Sequence, residues 1–289
     1  MEFNKTPIEP AWCPGCGNFA VREAVLKALN DSGLKKRDVA WVSGIGQAAK
    51  APHYIETNFF NGLHGRSLPA ATGLKLANPE LNVVVESGEG CHYGEGGNHF
   101  IAAIRRNINL TVLVHDNQIY GLTKGQASPT TDLGQSTKST PLGVLNEPFH
   151  PLSIAISAGC GFAARGFSGE IAHLAALIVE AIRYPGFALV DILSPCISFN
   201  KKATFASYKE RAKKLPESYD PSNREAAMVQ AAKWDDEIPI GLIYRRDPED
   251  HPSLEMKIAH ARGLDKPEVL AGHPPARDRL EAIMKQFVY

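Results

Sequence analysis

Five cysteines are the residues of this 289-residue chain whose type and spacing could most directly carry chemistry: Cys13, Cys16, Cys91, Cys160 and Cys196. An odd count does not form a purely disulfide framework, and a Cys-x-x-Cys pair such as Cys13 and Cys16 is typical of metal or redox sites. For that pair alone, a zinc site and a thioredoxin-like dithiol remain open alternatives to an iron–sulfur site. Cys160 lies in an apolar, glycine-flanked stretch and is predicted to be a buried bystander.

A glycine-rich segment, Gly88-Glu89-Gly90, follows a predicted strand, and Asn117 follows the next one. Glycines at a strand end allow the backbone to approach a diphosphate closely. Glu89, Asn117 and the carbonyl of Ile119 are oxygen donors of the kind that Mg²⁺ prefers. A glycine-rich turn of another nucleotide-binding fold, with Asn117 merely capping a loop, remains open. A dinucleotide site is less favoured, because the spacing is G-x-G-x3-G and no acidic residue follows in the ribose position.

These residues require elements that hold them at one edge of a sheet. The pattern predicts helices over 18–32 (with Asn18 as N-cap and Gly33 as stop), 68–77, 96–106, 151–158 and 170–183. It predicts apolar strands over 39–43, 83–85, 110–114, 161–164 and 187–193. Such alternation indicates an α/β fold, a parallel sheet with helices on both faces. Its binding groups would then lie at the carboxyl ends of the strands.

The composition changes after about residue 200, towards charge and proline. We therefore divide the chain into a domain over 1–200 and a C-terminal extension over 201–289. The extension is predicted to contain helices over 206–215 and 224–234 and one strand over 238–244, packed on the core or on a partner.

The bulk composition disfavours several classes of protein. Basic and acidic residues balance at 31 each, so neither nucleic acid nor a membrane is expected as a partner. No apolar run reaches the ~20 residues of a membrane span, and the first residues do not look like a secretory signal. The sequence predicts a cytoplasmic protein.

Ordered motifs across about two-thirds of the chain resemble those of 2-oxoacid:ferredoxin oxidoreductase β subunits. They are Trp12-Cys13-Pro14-Gly15-Cys16-Gly17, Ser43-Gly44-Ile45-Gly46, Gly62-Leu63-His64-Gly65-Arg66, Gly96-Gly97-Asn98-His99, Arg105-Arg106-Asn107, Asn117-Gln118-Ile119-Tyr120-Gly121-Leu122-Thr123, Ser128-Pro129-Thr130-Thr131, Ala164-Arg165-Gly166-Phe167 and Ser194-Pro195-Cys196.

The resemblance implies the diphosphate-binding half of a thiamine-diphosphate fold, with Mg²⁺ and a [4Fe–4S] cluster. It implies CoA-dependent oxidative decarboxylation of a 2-oxoacid, with ferredoxin as electron acceptor. An α subunit would supply the pyrimidine-binding domain. Among substrates 2-oxoglutarate is favoured and pyruvate comes next, because Lys124 could pair with a distal carboxylate; a solvated loop lysine is the alternative.

The same resemblance assigns roles by position. Glu89, Asn117 and the Ile119 carbonyl become Mg²⁺ ligands, and His64 lies near the cofactor phosphates. His64, Lys50 and Lys124 are the candidate catalytic residues. The cofactor-binding positions are Gly44, Ile45, Gly46, His64, Gly88, Glu89, Gly90, Asn117, Ile119, Tyr120, Gly121, Leu122 and Thr123.

Two positions depart from the family pattern. Glu89 stands where relatives usually have aspartate, and Gln47 stands where many have a third cluster cysteine. We therefore expect Cys91 to replace the missing thiolate, which gives the ligand set Cys13, Cys16, Cys91 and Cys196. The substitutions keep open a non-catalytic electron-transfer or assembly subunit of the same fold. A nucleotide-binding dehydrogenase of the NAD type is the second alternative.

Overall fold

A computed structural model describes residues 2–268, whose centre is one eight-stranded sheet. The strands lie in the order β2-β1-β3-β4-β6-β5-β8-β7, and every pairing is parallel except that of β5 with β8. Their bounds are β1 (Val39–Ser43), β2 (Asn58–Asn61), β3 (Asn82–Gly88), β4 (Leu110–Asp116), β5 (Phe162–Phe167), β6 (Phe187–Leu193), β7 (Ala212–Lys214) and β8 (Ile238–Arg245).

Helices cover both faces of this sheet, as the apolar strand sequences predict. The helices are α1 (Gly17–Ser32), α2 (Ser67–Ala77), α3 (Gly97–Arg106), α4 (Pro151–Ser157), α5 (Ile171–Arg183), α6 (Phe205–Arg211), α7 (Arg224–Ala232) and α8 (Leu254–Ala261). Within β3, Val84 packs into the core beneath α1 and α5, whereas Val83 and Val85 face the core beneath α2, α3 and α4. Strands buried on both faces need no polar alternation, which explains their continuous apolar runs. Among the described helices, none has the length and apolar character that crossing a membrane requires.

Two strands run further than the sequence pattern indicates, and this matters for the site. β3 continues to Gly88 and β4 to Asp116, so Glu89 and Asn117 stand directly beyond paired strand ends. The sequence prediction also missed edge strand β2, a 3₁₀ segment over Ala48–Tyr54 and a π-helical turn over Gly90–Glu95. Asn18 is not the N-cap of α1; Cys16 occupies that position, because the buried Asn18 side chain bonds to His115 instead.

The C-terminal extension contributes strands to the core sheet. β8 pairs antiparallel with β5, and the short β7 replaces the end of the helix predicted over 206–215. The buried Arg165 guanidinium on β5 donates to the carbonyls of Ala231 and Pro239, which joins the extension to the core. The part of the extension over 269–289 lies outside the described residues.

Candidate cofactor and metal site

A cleft that is open to solvent lies at the carboxyl ends of the central strands. Ligand sites of parallel α/β folds commonly lie at this edge of the sheet. The predicted site residues that line the cleft are Cys13, Cys16, Ile45, Gly46, His64, Gly88, Glu89, Gly90, Cys91, Asn117, Ile119, Tyr120, Gly121, Leu122, Thr123 and Cys196. The structure therefore brings together most of the predicted site.

The proposed magnesium ligands converge at the deep end of this cleft. Glu89 Oε1 and Asn117 Oδ1 each lie 3.1 Å from the backbone nitrogen of Ile119, which donates to both oxygens. Burial raises the pKa of Glu89 to about 7, although hydrogen bonds to its carboxylate act in the opposite direction. A buried carboxylate beside an amide oxygen is a donor set that suits a hard cation.

The loop that carries Asn117 is held by two side chains that the sequence interpretation did not single out. Asp116 Oδ1 accepts hydrogen bonds from the Gln118 backbone nitrogen (3.1 Å) and the Thr130 hydroxyl (2.7 Å). Gln118 has a left-handed backbone, with φ of 56°, and its amide group bonds to Thr130, Asp132 and Tyr208. These anchors stabilise a backbone conformation that side-chain-bearing residues rarely adopt.

Glu95 lies beside His64 and Tyr120, two residues of the cleft wall. The sequence analysis did not identify Glu95 as a site residue. The Tyr120 hydroxyl donates to Glu95 Oε2 at 3.1 Å, and His64 Nδ1 lies 3.1 Å from the same oxygen without hydrogen-bond geometry. Burial, followed by the Glu95 charge, raises the pKa of Tyr120. The Tyr120 ring lies over Gly90, where an added Cβ would come within 2.1 Å of it. Only glycine fits at position 90.

Cys13, Cys16 and Cys196 form a second group in the cleft lining, called the cysteine end below. Burial raises the pKa of the Cys16 thiol to about 11, and the nearby Cys196 and Cys13 thiols raise it further. Cys160 is fully buried beyond the cleft, where its thiol donates to the Phe162 carbonyl at 3.0 Å, as expected for a bystander.

Cys91 lines the same cleft but is more deeply placed. Its sulfur accepts a hydrogen bond from the Gly65 backbone nitrogen at 3.2 Å and lies against Gly44, where a Cβ would approach it to 2.4 Å. Gln47 also lines the cleft, and its buried Oε1 has no hydrogen-bond partner among the described residues. Within residues 2–268, no three His, Cys, Asp or Glu side chains are grouped so as to share a single metal ion. A cubane bonds each thiolate to a different iron, so it does not require that grouping.

Three predicted site residues lie outside the cleft lining. Gly44 is buried behind it and donates its backbone nitrogen to Ser87 Oγ at 2.9 Å. Lys124 is exposed, with φ of 76°, and Lys50 is half-buried in the 3₁₀ segment. Neither lysine forms an ion pair within the described part of the chain.

Comparison with known proteins first defines the class. Residues 39–192 match the family described as the C-terminal TPP-binding domain of thiamine pyrophosphate enzymes, which covers the central strands and the cleft. Residues 196–262 match the C-terminal region of the pyruvate ferredoxin oxidoreductase β subunit.

The chain belongs to the family of 2-oxoacid:ferredoxin oxidoreductase β subunits. It is 42% identical to the β subunit of 2-oxoacid:ferredoxin oxidoreductase from Saccharolobus solfataricus, over 93% of this chain and 90% of the relative. It is 44% identical to the 2-oxoglutarate oxidoreductase subunit KorB of Mycobacterium tuberculosis, over 71% of this chain and 55% of that one. The solved 2-oxoglutarate:ferredoxin oxidoreductase of Magnetococcus marinus superposes with a TM-score of 0.87 at 35% identity, over 97% of this chain and 94% of that chain.

Proposed function

We propose that this chain is the β subunit of an enzyme that converts a 2-oxoacid and coenzyme A into acyl-CoA and CO₂. Electrons would pass through a [4Fe–4S] cluster to ferredoxin, and 2-oxoglutarate is the favoured substrate, with pyruvate next. The observation that carries the proposal is one cleft with a carboxylate–amide pair at its deep end and a cysteine group at the other. Family membership argues against the dehydrogenase alternative.

The deep end of the cleft suits a diphosphate carried by Mg²⁺. Glu89, Asn117 and the Ile119 carbonyl would hold the ion, and Gly88 and Gly90 would let the backbone approach the diphosphate. Gly46, with φ of 131° and no atom near its missing Cβ, leaves further space in the wall. When bound, thiamine diphosphate supplies the electron sink that decarboxylation of a 2-oxoacid needs.

His64 is the side chain best placed to contact the cofactor phosphates. It lines the cleft with its ring centroid 6.3 Å from that of Tyr120, and Glu95 accepts from the Tyr120 hydroxyl and lies 3.1 Å from His64 Nδ1. An imidazole N–H can donate a hydrogen bond to a phosphate oxygen. Glu95 is therefore proposed to position His64 rather than to contact the cofactor.

The cysteine group suits an iron–sulfur cluster. Cys13, Cys16 and Cys196 are proposed as three ligands, because all three line the cleft and the Cys13 and Cys196 thiols are close enough to raise the pKa of Cys16. Cys91 is proposed as the fourth, since it lies in the same cleft and Gln47 cannot supply a thiolate. The hydrogen bond from Gly65 would then stabilise the Cys91 thiolate.

An α subunit is proposed to cover the sheet edge beside the cleft. The relatives are named as β subunits, which implies a partner. Phe59 and Phe60 on edge strand β2, and Leu63 after it, are exposed at 46%, 55% and 74%. Ile45, which lines the cleft, is also partly exposed beside them. Apolar side chains grouped at an uncovered edge are typical of an interface.

The proposal is tested by assaying the α–β complex, purified without oxygen, for ferredoxin reduction with coenzyme A and either 2-oxoglutarate or pyruvate. We expect reduction that depends on substrate, coenzyme A and added thiamine diphosphate, and that is faster with 2-oxoglutarate. A complex that accepts electrons from dithionite but binds no thiamine diphosphate would instead be the non-catalytic electron-transfer subunit.

A further inference from the structure

A buried polar group lies directly beneath the cysteine end of the cleft. Asn18, Glu86 and His115 have 3%, 0% and 0% of their surface exposed, and they stand on α1, β3 and β4. Desolvating a carboxylate and an imidazole is unfavourable unless each polar atom finds a partner. The hydrogen-bond partners of these side chains therefore indicate their structural role.

The hydrogen bonds of this group form a chain that ends at the side-chain oxygen of Asn18. His115 Nδ1 lies 2.8 Å from Asn18 Oδ1, and His115 Nε2 lies 2.7 Å from Glu86 Oε1. The Trp41 indole of β1 donates to Glu86 Oε2 at 2.9 Å. Because Asn18 Oδ1 accepts, His115 Nδ1 carries the hydrogen, and the ring is fixed at both nitrogens. Three adjacent strands thus hold the Asn18 side chain in one orientation.

Asn18 in turn contacts both segments that carry cysteines. It follows Cys16 by two residues in the first turn of α1, where the Phe19 nitrogen donates to the Cys16 carbonyl at 3.2 Å. Its Oδ1 accepts from the Ser194 hydroxyl at 3.5 Å, and Ser194 precedes Cys196 by two residues. The Gly17 nitrogen also donates to the Pro195 carbonyl at 3.1 Å. The two segments approach so closely that a Cβ on Gly17 would lie 2.6 Å from Ser194 Oγ.

We infer that Asn18, oriented by His115 and Glu86, is a positioning residue that fixes the Cys16 and Cys196 segments against each other and so sets the reduction potential of their cluster. This inference rests on the proposed function, because it takes these cysteines to be cluster ligands. Neither segment belongs to the sheet, so strand pairing alone does not fix the distance between their sulfurs. One backbone hydrogen bond, from Gly17 to Pro195, links the segments directly, and the Asn18 side chain adds a contact that also ties them to the buried His115.

The reduction potential is the property that this constraint should affect. Hydrogen bonds to the cluster sulfurs stabilise the more negative, reduced state and raise the potential. Removing the Asn18 side chain would free the first turn of α1 from His115 and Ser194, so backbone donors near the sulfurs would be held less firmly. The potential should therefore fall.

The test compares Asn18→Ala with Asn30→Ala in the α–β complex. Asn30 lies near the other end of α1, where its amide oxygen accepts from the Phe3 nitrogen at 3.1 Å and its amide nitrogen donates to the Phe3 carbonyl at 3.0 Å. EPR-monitored redox titration should show the equilibrium constant for cluster reduction falling about tenfold in Asn18→Ala, which is ~59 mV for a one-electron couple. Asn30→Ala should keep the wild-type potential. A loaded Asn18→Ala cluster with the wild-type potential would overturn the inference.

Loss of iron is informative as well. If Asn18→Ala stays folded by circular dichroism but loads no iron while Asn30→Ala loads fully, the positioning role is supported. If both variants lose iron to the same extent, the effect is general destabilisation and the inference fails.

A metal-free measurement separates this inference from the cluster proposal. If the wild-type complex itself holds no iron, the cluster proposal fails, and alkylation of the reduced chain then tests the positioning role alone. Cys16 and Cys196 should react at least severalfold faster in Asn18→Ala than in wild type and Asn30→Ala. Equal alkylation rates in all three proteins would contradict the positioning role of Asn18.

Discussion

The two ends of the cleft are built in different ways. At the deep end, Glu89 and Asn117 directly follow the paired strands β3 and β4, so the register of the sheet sets their separation. At the other end, Cys16 precedes α1 and Cys196 follows β6, and side-chain hydrogen bonds through Asn18 connect them. At the deep end, strand pairing brings the two residues together and the polar contacts of Asp116 and Gln118 hold only the loop beyond, whereas the cysteine segments have no strand pairing to bring them together. Substitutions should therefore act differently at the two ends.

The largest effect is expected at the cysteine end. Cys196→Ser removes a thiolate ligand, and we expect ferredoxin reduction to fall more than about 100-fold, because losing even an outer-shell partner of a metal site costs about 10–100-fold. Iron content and the rate of ferredoxin reduction are the measurements. Cys160→Ala is the matched control, since that thiol is buried outside the cleft and should leave iron content unchanged. Full iron in Cys196→Ser would contradict the ligand assignment.

At the deep end, the affinity for Mg²⁺ and thiamine diphosphate should depend on pH. Burial raises the pKa of Glu89 from 4.5 to about 7, so below pH 7 the carboxyl holds a proton that must leave before Mg²⁺ binds. Affinity for Mg²⁺–thiamine diphosphate should therefore rise ~tenfold per pH unit between pH 5 and 7 and level off above. Titration calorimetry measures it. Glu89→Gln should bind weakly at every pH, and an unchanged slope in that variant would exclude Glu89 as its source.

A smaller effect is expected where the α subunit would cover the sheet edge. Phe60→Ser removes an exposed aromatic ring whose burial is worth about 1.5 kcal/mol, so the α–β dissociation constant should rise ~10-fold. Surface plasmon resonance between the subunits measures this. Val229→Ser, an equally exposed apolar position on α7 at the opposite side of the sheet, is the control. If both variants bind the α subunit like wild type, the partner docks elsewhere.

The smallest effect concerns substrate choice. Lys124 is exposed at the loop after Thr123, so an ion pair with a distal carboxylate would be partly screened by water. Lys124→Met should raise KM for 2-oxoglutarate about fivefold and leave KM for pyruvate unchanged. The exposed Lys138 provides the control Lys138→Met. Equal changes for both substrates would mean that Lys124 is a solvated loop residue.

The two ends of the cleft also differ in how much of each could be predicted from the sequence. Apolar runs and glycines identified the strands that carry Glu89 and Asn117, because a buried parallel strand has a local sequence signature. Asn18 has a local signature too, that of an N-cap, but tertiary contacts with His115 override it. Glu95 and Gln118 gave no signal, since their partners are distant in sequence. β7 was missed because it is three residues long and continues directly from a helix.

The central claim is that a single cleft holds both a thiamine-diphosphate site and a cluster in which Cys91 replaces a missing ligand. Iron, acid-labile sulfide and thiamine diphosphate content of the α–β complex, purified without oxygen, test it most directly. The structure predicts about four iron atoms and about one thiamine diphosphate for each β chain. Thiamine diphosphate without iron would contradict the cysteine ligand set, and iron without thiamine diphosphate would contradict the assignment of Glu89 and Asn117.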